Sequence, residues 1–523
     1  MTTMTGNRMK LVASSFAVAM LATACNSDKL TNLNKNPNNP EDVPAATLFT
    51  AGVVRGVSLW LGAGYDLRGA EFVTQHLSEA QYPDEDRYAR LTGGSTQAYF
   101  DNPYINELED YQKVIDKGTT SGEAGVSGPA LVMRTWEFGY LTNTWGDVPY
   151  TDALKGDAEA GVLSPKYDAQ KDIYANMFTV LDKASKDMAS GSGSLGNGDP
   201  IYGGDTQAWQ KFSNSLRARF ALQLVNVDKA TTTAQLNAAF SAPGGVFTSN
   251  ADNAQMSWPG DGIYNNPWAQ NFATRDDHRV SLTLMNLMKS NNDPRIPIYA
   301  QPTPADPTVY AGAPNGLVAT SMAPYITSAS RPGAVFYPGN TAYGFYGGAG
   351  NSFPSFLMTY AEVEFIKAEA AERALATVAG SAASHYQAGI RASMEQWGVA
   401  DADINAYLAQ GSVAYKGGTA GLTQIAQQKW IALYSDGGTA WAEWRRTCVP
   451  NTVQPGRDAT QSAVPRRFQY SITEKSVNIE NINAAIAAQG SDAFATRMYW
   501  DKAPSAAPTW ISTCGIRGQA PTP

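Results

Sequence analysis

The chain has 523 residues with a formal net charge of −8, and its composition is 43% hydrophobic, 16% charged and 11% aromatic. Soluble domains usually carry about 25% charged residues, so this surface depends more on neutral polar side chains and suits contact with neutral polar molecules outside the cytoplasm. The acidic balance argues against nucleic acid as a partner, because phosphate binding needs a basic patch, and against attraction to an anionic membrane surface.

The N-terminus has the pattern of an export signal. Arg8 and Lys10 precede an apolar stretch, residues 11–24, that is shorter than the roughly 20 residues of a membrane-spanning helix. Ala24 stands directly before Cys25, and this pair resembles the bacterial lipobox, in which the cysteine becomes the lipid-bearing first residue of the mature chain. We predict a lipoprotein signal peptide at 1–24 with lipidation at Cys25. The alternative is an ordinary secretory signal with a coincidental cysteine.

The remainder of the chain is predicted to be a tether followed by a mostly α-helical body. Asn and Pro dominate residues 25–43, which indicates an extended tether before a body spanning 44–523. Apolar residues recur at spacings of three and four in residues 167–184, 206–224 and 359–375, as on the buried face of a helix. Such helices in neighbouring pairs suggest tetratricopeptide-like hairpins, although no clean 34-residue period is visible.

Between about residues 240 and 355 the chain is rich in Gly, Pro, Asn and aromatic residues. Loops this long inside a globular protein are usually functional or disordered, and the aromatic content argues against disorder. We therefore predict long loops over a helical scaffold, where a binding site is normally built.

Flat aromatic rings suit the apolar faces of sugars, and amide or guanidinium groups suit their hydroxyls. The loops and an earlier aromatic stretch offer nine candidates for ligand contact, each of which has core packing as its alternative. They are Trp258, Trp268, Tyr337, Asn340, Tyr343, Phe345, Tyr346, Tyr82 and Arg87.

Catalytic and metal motifs are missing from the sequence. The three histidines are widely separated, and no zinc, phosphate-loop, dinucleotide or nucleophile-elbow pattern occurs. Adjacent acids occur at 84–86 and at 276–277, where a solvated turn or a set of calcium ligands is a better interpretation than a catalytic pair. We predict no enzymatic activity and no dedicated metal site, with calcium left open at the turns "PDED", "RDD" and "PGDG".

Cysteine usage agrees with export. The chain has three cysteines, and lipidation of Cys25 would leave the even pair Cys448 and Cys514. An exported protein can oxidise such a pair, which would attach the C-terminal tail to the preceding segment. The alternative is two buried free thiols.

An ordered set of short phrases resembles one family over nearly the whole mature chain. After the lipobox come "LTNLNKNPNNP", "WGDVPYTDAL", "NSLRARFAL", "NDPRIPIYA", "FLMTYAEVEFIKAEAAERA", "IAQQKWIALYSDGGTAWAEWRRT", "VPRRFQYSITEKSVN" and "MYWDK". Each phrase is weak alone, but their order resembles the SusD/RagB-type, or SusD-like, nutrient-binding outer-membrane lipoproteins.

This resemblance implies tetratricopeptide-like helix pairs that support a loop-rich second half, and a lipid anchor on the outer face of the outer membrane. It implies a TonB-dependent β-barrel transporter of the SusC type as partner, and an oligosaccharide or peptide as ligand. It also implies a non-enzymatic protein, with Trp145 and Tyr150 packing a corner and Trp430, Trp441 and Trp444 in the core. The ligand residues named above rest on composition and do not transfer from the family.

Three functions therefore remain in competition. The first is a surface lipoprotein that captures a nutrient and delivers it to a transporter. The second is a secreted carbohydrate-active enzyme, which would need a catalytic acid in a cleft. The third is a helical-repeat adaptor that binds only proteins, and it would expose few aromatic rings.

Overall fold

Helices dominate the part of the chain that the structure, a computed structural model, describes: residues 42–156, 161–339, 350–502 and 513–518. The predicted Cys25 anchor therefore lies outside the described residues. Ala45–Pro523 forms one compact unit and Met1–Pro44 a separate one. The prediction of a mostly α-helical fold is confirmed.

The first half carries the longer helices, which pack as neighbouring pairs. Helix α4 pairs with α5, α6 with α7, and α7 with α8, while α1 lies against α4. The helices are α1 Ala45–Trp60, α2 Glu71–Thr74, α3 Gln97–Ile105, α4 Glu107–Ser121, α5 Ala124–Trp145, α6 Gln170–Ser190, α7 Thr206–Gln223 and α8 Lys229–Phe240, with a π-helical stretch at Ala63–Ala70.

The second half begins with short helices and ends with longer ones. The described part of the region predicted as long loops is loop-rich, and it also contains α9 to α13, of which none exceeds eight residues. The helices are α9 Pro267–Phe272, α10 Leu282–Lys289, α11 Ile296–Tyr299, α12 Ala319–Met322, α13 Tyr325–Ser328, α14 Tyr360–Glu372, α15 Ala382–Gln396, α16 Asp401–Leu408, α17 Gly418–Ala432, α18 Gly437–Thr447, α19 Glu474–Val477 and α20 Ile479–Gln489.

The strands of the described chain form three short antiparallel pairs, of which β1–β5 and β4–β6 connect distant segments. In the first pair Glu79 lies opposite His278, which brings the early part of the chain against the loop-rich region. The strands are β1 Leu77–Glu79 with β5 His278–Val280, β2 Val148–Pro149 with β3 Tyr167–Asp168, and β4 Ala254–Met256 with β6 Ser355–Met358.

Helix α7 shows why these segments are helical. The carboxylate of Asp205 accepts the N–H groups of Gln207 and Ala208, at 2.8 and 3.2 Å, and so satisfies donors that a helix start leaves open. The apolar face that the spacing predicted, which includes Trp209 and Leu216, is fully buried. The helix ends at Gln223, one residue before the predicted limit.

The first helices are buried in the core. Ala45–Thr74 is one helical stretch that is long and apolar enough to cross a membrane, by length and composition alone. Phe49, Val53, Val57 and Trp60 are nevertheless fully covered by other protein residues. This burial is typical of a core helix in a globular protein.

The C-terminal third closes against the N-terminal helices. Trp430 Nε1 donates to Thr74 Oγ1 at 2.8 Å, and the Trp430 carbonyl lies 3.0 Å from His76 Nε2. Trp145 Nε1 donates to the carbonyl of Gln469 at 2.9 Å. Trp145 is fully buried, so it packs the corner as predicted.

The end of α18 carries buried cations and a disulfide. The Arg445 guanidinium lies 3.7 Å from the centre of the Trp441 ring. Arg446 donates to the Glu369 carboxylate at 2.7 and 2.6 Å. Cys448 and Cys514 form a disulfide with Cα atoms 5.7 Å apart, which attaches the tail to the helix.

Candidate functional site

The loop that follows β1 is held in place by a buried carboxylate. Glu79 Oε1 accepts the backbone N–H groups of Gln81 and Tyr82, at 2.8 and 2.9 Å. Burial raises the pKa of Glu79 to about 7. Because the strand ends in these bonds, the chain turns at this point and directs the next side chains outward.

Tyr82 is an exposed aromatic ring on this loop, with 49% of its surface accessible. The Arg275 guanidinium lies 4.9 Å from the centre of the ring, within the range of a cation–π contact. Arg275 Nε in turn donates to Asp277 Oδ2 at 2.7 Å, and Asp277 is almost fully buried. The ring and the guanidinium are therefore both oriented by carboxylates beneath them.

A cavity of about 480 Å³ opens beside this ring. Its wall includes Arg68, Gln81, Asp84, Glu85 and Arg90 together with Tyr82 and Arg275. Arg68 Nε donates to both oxygens of Glu85, at 2.9 and 3.0 Å, and this bond raises the pKa of Arg68. A half-exposed ring beside fixed guanidinium, amide and carboxylate groups can cover an apolar ligand face and bind the polar groups at its edge.

The second predicted loop contributes an exposed tyrosine but not its tryptophans. Trp258 and Trp268 are only 5% and 2% exposed. Trp258 Nε1 donates to Ser355 Oγ at 3.0 Å, and the Trp268 ring packs 4.7 Å from Phe336. Tyr264 is 51% exposed. For both tryptophans the structure favours the core-packing alternative, because strand β6 and the 3₁₀ turn Ala334–Phe336 cover the rings.

The third predicted cluster is only partly described. Tyr337 is 1% exposed and stacks 4.7 Å from Phe272, so its ring also packs in the core. Asn340, Tyr343, Phe345 and Tyr346 lie outside the described residues, and a ligand role for them stays a prediction.

Arg87 bridges two segments of the protein. Arg87 Nε donates to the carbonyl of Asp458 at 2.8 Å, and one terminal nitrogen donates to Asp84 Oδ1 at 3.1 Å. The Thr460 N–H donates to the carbonyl of Arg87 at 2.9 Å. These contacts indicate that Arg87 links the Tyr82 loop to the C-terminal third, instead of pointing freely at a ligand.

The acidic turns considered for calcium bind protein groups. Asp276 accepts Arg331 Nε and Nη2, both at 2.7 Å, and Asp261 accepts the N–H groups of Ile263 and Tyr264 at 2.9 and 2.8 Å. In the described structure these carboxylates therefore stabilise an ion pair and a turn.

One group of potential metal ligands comes together within the described ranges: atoms of Glu79, Asp277 and His278 lie within 4.8 Å of one another. Burial alone would raise the pKa of Asp277, but its bonds to His278 and Arg275 hold that pKa well below the usual value. Burial would lower the pKa of His278, yet the same bond to Asp277 raises it. Asp277 is therefore already bonded to Arg275 and to His278, so protein groups hold this cluster together.

Comparisons with known proteins place this fold. A family model described as SusD-like, starch-binding associating with outer membrane, matches residues 37–471. The chain belongs to this family. No curated protein sequence matches the chain at a significant level.

Solved structures agree with the family. A chitin-binding protein superposes with a TM-score of 0.76 at 26% identity, covering 88% of this chain and 100% of the other. A SusD homologue from Bacteroides uniformis gives 0.75 at 22% identity, with 88% and 100% covered. A chitin-binding SusD homologue from Flavobacterium johnsoniae gives 0.73 at 23% identity, with 87% and 99% covered. The SusD-like resemblance and its tetratricopeptide-like fold are therefore confirmed.

Sequence reasoning found Tyr82 but missed its neighbours. Arg275 is 193 positions away along the chain, and the phrase that contains it, "TRDDHR", draws attention by its acids. No sequence pattern around Arg68 or Arg90 indicates that the two residues line the same cavity. The β1–β5 pairing, which joins residues 77–79 to 278–280, brings Arg275 to the Tyr82 loop.

Proposed function

We propose that the protein captures a glycan at the outer face of the outer membrane and delivers it to a TonB-dependent transporter of the SusC type. Support comes from membership of a family described as starch-binding and associating with the outer membrane. A similar structure at 26% identity is a chitin-binding protein, which makes chitin oligosaccharides the first ligands to test.

The observation that carries the proposal is the exposed Tyr82 ring beside the 480 Å³ cavity. A sugar ring has an apolar C–H face and polar edges, so a flat aromatic surface next to hydrogen-bonding groups suits it well. Tyr82 supplies the surface, while Gln81 and Arg90 are exposed beside it. The cavity is large enough for one or two sugar rings, given that small-ligand pockets start at about 300 Å³.

Capture without turnover is the activity that this site favours. Hydrolysis of a glycoside requires two carboxyl groups that are free to act as acid and base or nucleophile. At the Tyr82 cavity the Glu85 carboxylate binds Arg68, and the Asp84 carboxylate binds Arg87. Both acids are therefore used to order the wall of the cavity.

The first experiment measures binding of the protein without residues 1–25 to an array of glycans and peptides, followed by product analysis of each hit. We expect saturable glycan binding with no product. Tyr82→Ala should weaken binding about tenfold, because loss of a stacked ring is worth about 1.4 kcal/mol. A product from any hit would refute the non-enzymatic proposal, and hits confined to peptides would replace glycan capture with peptide capture.

Tyr264→Ala is the matched control, because Tyr264 is equally exposed but does not line the cavity. The control should bind like the wild type. If Tyr264→Ala lost glycan binding while Tyr82→Ala kept it, the binding site would have to be assigned to the loop that contains Tyr264.

Anchoring is tested separately in cells. Cys25→Ala should shift the protein from the outer-membrane fraction to the soluble fraction and remove the lipid label. Retention of Cys25→Ala in the membrane with unchanged lipid would refute the proposed anchor.

A further inference from the structure

A second cavity, of about 540 Å³, lies between α10, the loop at 314–317 and the loop at 452–457. It shares no lining residue with the Tyr82 cavity. The two are joined indirectly, because Arg87, which binds Asp84 of the Tyr82 cavity, also donates to the Asp458 carbonyl beside this second loop.

The lining of the second cavity is almost uncharged. Amide and hydroxyl side chains such as Asn286, Thr283 and Thr452 alternate with leucines, and Arg457 is the single charged side chain among the lining residues described. The Arg457 guanidinium already pairs with Asp458 at 3.1 Å. By contrast, the Tyr82 cavity is lined by five charged side chains. A neutral ligand with hydroxyl or amide groups fits this second wall better than an ion does.

Gln75, the residue that ends helix α2, is fixed in the wall of the cavity. Gln75 adopts a left-handed conformation, with φ of 64°, which is unfavourable for a residue other than glycine. Its side chain is held from two sides: Thr283 Oγ1 donates to Gln75 Oε1 at 2.8 Å, and Gln75 Nε2 donates to the Gln454 carbonyl. Strained residues that their neighbours hold in place are concentrated at binding sites.

The two loops that form the wall meet through their backbones. A side chain at Gly456 would collide with the carbonyl of Asn315, and the Asp458 N–H donates to the Gly316 carbonyl at 2.9 Å. Asn315 Nδ2 also donates to the Leu77 carbonyl at 2.7 Å. The wall is therefore ordered without a ligand, which lowers the entropy lost on binding.

The rim presents apolar and polar groups to solvent. Leu282 is 38% exposed, and Asn286 and Thr452 are exposed beside it. An apolar side chain flanked by an amide and a hydroxyl matches the C–H face and the hydroxyl edge of a pyranose ring.

We propose that this cavity is a second saccharide site, specific for neutral sugar units and independent of the Tyr82 cavity. The proposal rests on the proposed function, since it assumes that the protein binds glycans. Binding at two sites would let one protein hold two chains, or two parts of a long chain.

Native mass spectrometry with the neutral trisaccharides of chitin, starch and cellulose counts the bound molecules. The wild type should bind two equivalents of at least one trisaccharide. At a trisaccharide concentration below the roughly tenfold higher Kd of the Tyr82→Ala site, Tyr82→Ala should bind one molecule. Asn286→Trp, which fills the second cavity, should also bind one, and the double variant should bind none. Gln387→Trp places the same ring on an exposed face of α15 that lines neither cavity, and should still bind two.

The outcomes separate the two proposals. One possible result is that the wild type binds a single trisaccharide that Tyr82→Ala loses and Asn286→Trp keeps. That result would overturn the second site and leave the proposed function intact. No binding by the wild type to any of the three would overturn the second site and count against glycan capture. If Asn286→Trp melts at the same temperature as the wild type, misfolding is excluded as the reason why this variant binds one molecule fewer.

Discussion

Breaking the disulfide between Cys448 and Cys514 should lower the thermal stability of the protein by a calculable amount. The bond closes a loop with a sequence separation of 66 residues. The chain-entropy relation for a loop of that length gives about 4 kcal/mol at 25 °C, through the greater freedom of the unfolded chain. The unfolding entropy of the unit Ala45–Pro523 is about 1 kcal/mol per kelvin at about 2.1 cal/mol/K per residue. The expected fall in Tm is therefore about 4 °C.

The assay is calorimetric melting of the protein that begins after Cys25, since only these two cysteines then remain. The double variant Cys448→Ser/Cys514→Ser should melt about 4 °C below the oxidised wild type. A reductant should lower the wild type to the same temperature and leave the double variant unchanged. A fall below about 1 °C would refute the entropic argument, and two titratable thiols in the native protein would refute the bond itself.

Two further perturbations test buried charges. Arg446→Met should destabilise the protein by about 3–5 kcal/mol, because the buried Glu369 and Glu443 would lose the cation that they share and keep only Arg373 and Lys429 as partners. Arg391→Met on an exposed helix face should have little effect, and equal urea midpoints for the two variants would contradict this prediction. Glu79→Gln should stabilise the protein more at pH 8 than at pH 5. Its folded pKa of about 7 lies above the unfolded value, so wild-type stability is lost as pH rises through that range, by up to about 3 kcal/mol. A pH-independent difference in Tm would refute this assignment.

The scaffold was predictable because its signals are local. Helix α7 shows its cap at Asp205 and its apolar face within one short stretch, and the structure ends it one residue from the predicted limit. The short sequence phrases that resemble the SusD-like family also predicted the order of the helices along the chain. A helix cap and an apolar helix face are both patterns of residues three or four positions apart, so they can be recognised without knowledge of a distant partner.

The binding surface was not predictable in the same way. Tyr82 and Tyr88 stand six positions apart in one phrase, yet Tyr82 is 49% exposed and Tyr88 is 1% exposed. Trp268 is covered by Phe336 from a loop that lies far along the chain. An aromatic loop residue is as apolar as a core residue, so only its distant partners decide whether the ring faces water.

The contacts between the two ends of the chain set the order in which this protein can mature. In an open helical-repeat array each repeat touches only its neighbours, so a truncated array can still fold. Here Thr74, His76 and Trp145 bond to residues 324 to 356 positions later. A chain that emerges N-terminus first must therefore keep its first helices incomplete until the last third arrives. We expect that interval to be when the protein depends most on chaperones and is most open to proteases.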